Sequence, residues 1–164
     1  AQLRVAAGEG LPWKQSDLKQ TGHAIECRIC CEEPEHDFRP ATGAARLLRL
    51  PEGDGVRFDG GIRQGQAITA AFDSMVGKLI CHAATRLEAC DGIVRALDEF
   101  VLLGVSNNID YLGQVLRHAA FRDGQLHTGF IAEHAADLAQ PPLDDTDRAA
   151  LLIAAALGVD DFRR

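Results

Sequence analysis

The chain has 164 residues, of which 46% are hydrophobic and 25% charged, the composition of one globular domain with a sizeable core and not of a disordered, collagen-like or coiled-coil chain. Its 24 acidic and 17 basic residues give a formal net charge of −7. Because the basic residues are scattered along the chain, a polyphosphate backbone is repelled and no nucleic-acid partner is expected.

The chain starts at Ala1 without an initiator methionine, and residues 1–7 have the apolar, helix-favouring composition of a segment that continues something longer. A piece of a larger polypeptide is therefore expected. Gly8, Gly10 and Pro12 end this opening helix, and Ser16 with Asp17 can cap one short turn. Residues 22–33 then alternate, with Ile25, Cys27, Ile29 and Cys31 on one face and Glu26, Arg28 and Cys30 on the other, which predicts a half-buried strand. Pro34, Pro40, Thr42 and Gly43 mark a loop before a second strand over 44–50 and a turn at 51–55. A third strand is expected over 56–59, followed by a hairpin punctuated by Gly60, Gly61 and Gly65. Another covers 75–83, with Lys78 as its one charged residue.

After residue 84 the period changes. Leu87, Cys90, Ile93, Val94, Leu97 and Val101 recur at three- and four-residue steps behind a Thr85–Glu88 capping box, predicting a helix that Gly104 stops. Asn108 is placed to cap a second helix over 109–118, with Tyr111, Leu112, Val115 and Leu116 inward, and Thr128 to cap a shorter third. Residues 135–142 read as loop, and Asp144, Asp145 and Asp147 precede an alanine- and leucine-rich helix ending at Gly158. Strands followed by helices argue for an α+β architecture.

Several residue groups are candidates for chemistry. Cys27 and Cys30 form a C-x-x-C, but on a strand they point to opposite faces and no second pair follows, so structural free thiols are expected and no metal site. Five cysteines, an odd number, fit a reducing cytoplasm better than a secreted disulfide scaffold. The longest uncharged apolar run, 149–159, is shorter than the ~20 residues that cross a bilayer, and the N-terminus has no signal-peptide pattern, so neither membrane nor secretion is expected. The six histidines show no metal-binding spacing, and Gly60, Gly61 and Gly65 lack the spacing of a phosphate loop. Ser74 lacks a nucleophile elbow, and Asp73 with Ser74 reads first as turn-forming. Lys78 reads as an amine reaching solvent rather than a reactive one. Arg57, between Val56 and Phe58 and beside a glycine-rich turn, leaves two readings open. It is either a fixed guanidinium for a small planar anion or a surface arginine paired with Asp59.

The segments GHAIECRI (22–29), the acidic-Pro loop running to FRPATG (38–43), GVRFDGGIRQG (55–65), FDSMVGKLI (72–80), RALDEFVLLGVSNNIDYL (95–112) and HTGFIAEH (127–134) together resemble the C-terminal domain of biotin carboxylases. The RQG and HT-x-FI segments are similar to those of the biotin-carboxylase-bearing alpha subunits of acyl-CoA carboxylases, in particular the methylcrotonyl-CoA kind. The resemblance implies a small, mixed, barrel-like antiparallel sheet followed by helices over residues 1–138, with 139–164 a helical connector toward a following domain. It implies a ligase that forms a C–N bond, carboxylating carrier-bound biotin with ATP, magnesium and bicarbonate. An ATP-grasp portion would lie upstream, leaving this piece catalytically silent by itself. Implied partners are that upstream portion, a biotin carboxyl carrier domain, a carboxyltransferase subunit, and a second copy of the chain, the dimer contact lying near residues 78–86. Of the family's catalytic groups, one is carried over: Arg57, which would face bicarbonate and biotin. Sibling readings are pyruvate or urea carboxylase, or an assembly module without activity of its own.

Overall fold

The computed structural model describes residues 1–139 and, beyond them, Thr146, Ala149, Leu152 and Ile153. Those four are helical, and the rest of the expected helix behind Asp144, Asp145 and Asp147 lies outside the described residues, as does most of the expected connector. The chain divides after Leu126 into two compact units.

In the first unit a short helix, α1 (Gln2–Ala6), and a 3-10 turn (Gln15–Asp17) lead into β1 (His23–Cys30). β1 pairs antiparallel with β8 (Met75–Ala83), which pairs on its other side with β6 (Val56–Gly60), giving a three-stranded sheet of order β1-β8-β6. The remaining short strands form two-stranded ribbons: β2 (Glu32–Glu33) with β3 (Arg39–Pro40), β4 (Gly43–Ala44) with β7 (Ala67–Ile68), and β5 (Leu47–Arg49) with β9 (Val101–Leu103). The mixed helix and antiparallel-sheet class is as expected. A barrel-like closure is not found among the described residues, because β1 and β6 are both open edges of the main sheet.

The alternation read in β1 is the burial pattern observed, and β8 stands where the apolar strand over 75–83 was expected. Ile25, Cys27 and Ile29 of β1 and Leu79 and Cys81 of β8 enter the core, where they join Ala89, Cys90, Ile93, Ala96 and Leu97 of α2 (Arg86–Glu99). The Thr85 hydroxyl accepts the Glu88 N–H and the Glu88 carboxylate accepts the Thr85 N–H, the expected reciprocal cap. α2 lies so close to β8 that a Cβ on Gly92 would meet the Cys81 sulfur at 2.5 Å. Across the sheet, Gly60 and Gly77 are register partners, and a Cβ on either would meet the Phe58 ring at 2.3 Å. That ring packs edge-on against Phe100, with centroids 5.3 Å apart. The glycines of this region thus make room for an aromatic side chain.

Some expectations are corrected. The helix from Thr85 does not run to Gly104. It ends at Glu99, and residues 101–103 form β9, whose backbone is claimed by β5. Leu87, placed on the apolar stripe, is 51% exposed. Gly60, Gly61 and Gly65 do not make a hairpin, since β6 pairs with β8 while the intervening β7 crosses to β4. The strand read over 44–50 is split into β4 and β5. Helix α3 (Ile109–Arg117) stands where expected, but the Asn108 side chain does not cap it. Asn107 Oδ1 accepts the Ile109 N–H instead. A further short helix, α4 (Ala119–Arg122), was not expected. In the second unit α5 (Phe130–Glu133) has Gly129 at its N-cap position, without a cap from Thr128.

Candidate functional site

The outer face of the three-stranded sheet carries the residues of interest. Strand alternation sends Val56 and Phe58 inward and Arg57 and Asp59 outward, and the register sets Arg57 opposite Ile80 and Asp59 opposite Lys78. On the other flank of β8, Lys78 faces Arg28 and Ile80 faces Glu26. Two ion pairs organise this face, Arg57 Nη2 with Asp59 Oδ2 at 3.0 Å and Lys78 Nζ with Glu26 Oε1 at 3.5 Å. The Arg57 side chain is 70% exposed. A pair this exposed contributes about 0–1 kcal/mol to stability, so folding alone gives little reason for an arginine here. The pairing with Asp59 is the one its spacing permits, and it coexists with a guanidinium held outward on a strand. Arginine has five N–H donors in a planar fork, and one terminal nitrogen engaged by Asp59 still leaves a fork able to meet a small carboxylate-like anion.

A second cluster ties the end of β1 to the start of α3 and was not foreseen. Asn108, 5% exposed, accepts the Cys30 N–H at 2.9 Å and donates to the Arg28 carbonyl at 3.1 Å and to Glu32 Oε1 at 3.3 Å. The Ser74 hydroxyl donates to Glu32 Oε2 at 3.4 Å, and Ser74 O accepts the Cys31 N–H at 2.8 Å. Burial raises the Glu32 carboxyl above its ordinary range, against the hydrogen bonds from Ser74 and Asn108 that lower it. The bulge between Ile29 and Cys30 is the irregularity this network covers. Ser74 is therefore occupied as a strut. Asp73 is turn-forming as read, its Oδ1 accepting the Met75 N–H at 2.8 Å.

Cys27 enters the core while Cys30 stays half-buried, so the C-x-x-C does not converge. Burial, then Glu26, pushes the Cys27 thiol up to about 12, and burial, then Cys30 and Glu32, pushes Cys31 up to about 11. Thiols held protonated in this way are poor nucleophiles and poor metal ligands. Lys78 is neither buried nor isolated, its side chain being 39% exposed and paired with Glu26. Gly60 and Gly77 make room for the Phe58 ring, and Gly55 lies against the His82 backbone, while the spacing of Gly60, Gly61 and Gly65 is not that of a phosphate loop.

Residues 26–133 match the family model of the Biotin carboxylase C-terminal domain. The chain belongs to that family. A pyruvate carboxylase subunit of Methanothermobacter thermautotrophicus is 44% identical over 133 residues, covering 81% of this chain and 27% of the relative. The alpha subunit of mitochondrial methylcrotonoyl-CoA carboxylase of Rattus norvegicus is 35% identical over 159 residues, covering 96% of this chain and 22% of the relative. The chain thus spans about a quarter of the length of these curated relatives. Among solved structures, the biotin carboxylase domain dimer of Hydrogenobacter thermophilus 2-oxoglutarate carboxylase, in complex with MgADP, ADP and bicarbonate, superposes with a TM-score of 0.83 at 34% identity, over 86% of this chain and 31% of that one. The biotin carboxylase C-terminal domain seen here therefore has the sheet-and-helix fold of its relatives. Among the described residues no helix is long and apolar enough to cross a membrane.

Proposed function

We propose that this biotin carboxylase C-terminal domain completes the active site of a biotin-dependent carboxylase that uses ATP, magnesium and bicarbonate to carboxylate biotin on a carrier domain. Arg57 supplies the one catalytic group from this chain. Its permanently charged fork, projecting from the outer face of β6 and 70% exposed, holds bicarbonate and the oxyanion that develops on biotin, where a lysine can lose its proton. That exposure, within a family match over residues 26–133, is the observation that carries the reading. ATP and magnesium belong to an upstream ATP-grasp portion, and the piece of chain described here is silent without it. Residues 1–138 are the domain and 139–164 a connector toward the next one. The assembled enzyme is a homodimer, served by a carrier domain and a carboxyltransferase subunit, in a reducing, cytoplasmic compartment. A relative described as a domain dimer supports the homodimer.

For the final acceptor we favour an acyl-CoA of the methylcrotonoyl type. The alignments to the methylcrotonoyl-CoA carboxylase alpha subunits of Dictyostelium discoideum and Rattus norvegicus extend over 157 and 159 residues, into the region beyond the domain, while that of Mus musculus covers 138 and that of the pyruvate carboxylase relative 133. The higher identity of the latter, 44%, supports pyruvate as the second reading. The test is transfer of labelled bicarbonate to the biotin carrier by the intact enzyme. ATP-dependent incorporation is expected, then passage of the label to methylcrotonoyl-CoA and not to pyruvate. No label on the carrier would overturn the biotin carboxylase reading, and passage to pyruvate alone would overturn the acceptor.

A further inference from the structure

We infer that Asp59 is a positioning residue for Arg57, an inference that rests on the role proposed for Arg57 above. The two residues flank Phe58 on one strand, so both project from the outer face with a two-residue spacing. Phe58 pins that stretch of β6 from the inside. Its ring fills the space over Gly60 and Gly77 and packs edge-on against Phe100, and five register pairs join β6 to β8. The platform under Arg57 is consequently fixed, while the arginine side chain itself, mostly in solvent, is not fixed by packing.

The carboxylate of Asp59 supplies that constraint. It meets Arg57 Nη2 at 3.0 Å. Asp59 also faces Lys78 in the register, a second cation that would compete for it. Glu26, on the opposite flank of β8, pairs with Lys78 at 3.5 Å. Arg57 thus pairs with Asp59 and Lys78 with Glu26, while Arg28, opposite Lys78 in the register, is a further cation on this face. An arginine held through one terminal nitrogen keeps the rest of its donors aligned in one plane, the geometry that bidentate recognition of a planar anion requires. An ion pair this exposed is too weak to matter for folding, so its effect falls on orientation and hence on turnover.

The experiment uses the intact carboxylase and biotin-dependent phosphate release, comparing Asp59→Asn, Asp59→Glu, Arg57→Gln and the double variant Arg57→Gln with Asp59→Asn. Asp59→Asn is expected to lower kcat by about two- to fivefold, the most that an exposed ion pair can contribute to holding the guanidinium, with KM for ATP and the thermal midpoint unchanged. Asp59→Glu should recover most of the loss, and the double variant should be no slower than Arg57→Gln alone. Full kcat in Asp59→Asn beside a crippled Arg57→Gln would overturn this inference only, as would losses that multiply in the double variant. Full kcat in Arg57→Gln would overturn the role of Arg57 and this inference with it.

Discussion

Replacing Asn108 with alanine should destabilise the chain severely, although the residue touches no proposed substrate. Its side chain makes three hydrogen bonds at 2.9, 3.1 and 3.3 Å, to the Cys30 N–H, the Arg28 carbonyl and the Glu32 carboxylate. Two neutral bonds at about 1 kcal/mol each and one to a charged acceptor at about 1.5–3 kcal/mol sum to roughly 3–5 kcal/mol. Against the stability of an ordinary domain, about 5–15 kcal/mol, this is a large fraction, and at this chain length it corresponds to a fall in melting temperature of about 6–20 °C. Asn108→Asp separates shape from donor chemistry. An aspartate can still accept the Cys30 N–H, but it turns an oxygen toward the Arg28 carbonyl and toward Glu32, so at neutral pH it should cost at least as much as alanine. The assay is denaturant unfolding followed by circular dichroism. A loss below about 1 kcal/mol in Asn108→Ala, or an Asn108→Asp variant more stable than Asn108→Ala at neutral pH, would refute the reasoning.

Other outcomes follow from the same geometry. Leu79 is fully buried on β8, and Leu79→Ala should cost about 2–5 kcal/mol in the same unfolding assay, a loss under 1 kcal/mol contradicting its place at the centre of the core. Gly77→Ala puts a methyl group 2.3 Å from the Phe58 ring and 3.0 Å from the Gly60 Cα, so a cost of about 1–3 kcal/mol is expected. Wild-type stability there would mean that the ring yields freely. Glu32 has a folded-state pKa raised by burial, so the folded chain holds that proton more tightly than the unfolded one. Its contribution to stability is full at low pH and is lost as pH rises from the unfolded value, about 4.3, through the folded one. Glu32→Gln should therefore gain stability relative to wild type at neutral pH and lose that advantage in acid; a larger advantage in acid would reverse the sign. Among the thiols, half-buried Cys30 should label first with a thiol reagent while Cys27 and Cys31, raised to about 12 and 11, resist until unfolding. Peptide mass spectrometry after timed labelling reads the order, and early modification of Cys27 would contradict its burial.

What was legible in the sequence is what local chemistry decides. β1 was readable because an alternation of apolar and polar residues has one solution when one face is buried, β8 because a short apolar run with a single charge follows turn-forming residues, and the Thr85–Glu88 cap because its two hydrogen bonds lie within four residues. β9 was not readable. Val101 and Leu102 continue the helical spacing of α2, and only the backbone of Leu47–Arg49, far away in sequence, draws them into a ribbon. The same distance hid the role of Asn108. An asparagine directly before a helix reads as a cap, but this side chain is taken by groups 76–80 residues away. Gly60, with Gly61 and Gly65, suggested a hairpin because glycine signals a turn more often than room for a ring, which is what Gly60 provides to Phe58. At the candidate site, the sequence offered Arg57 and the spacing of its ion pair with Asp59. The pairing of Lys78 with Glu26 depends on the strand order β1-β8-β6, which no local pattern carries.

The most direct test of the proposed function is the turnover number for biotin-dependent phosphate release by the intact carboxylase, with Arg57 present and as Arg57→Gln. Loss of a preorganised oxyanion donor corresponds to about 3–4 kcal/mol, so a fall of about a hundredfold to a thousandfold is expected, with folding unimpaired. Undiminished turnover in Arg57→Gln would contradict the assignment and leave the guanidinium as no more than a surface partner of Asp59.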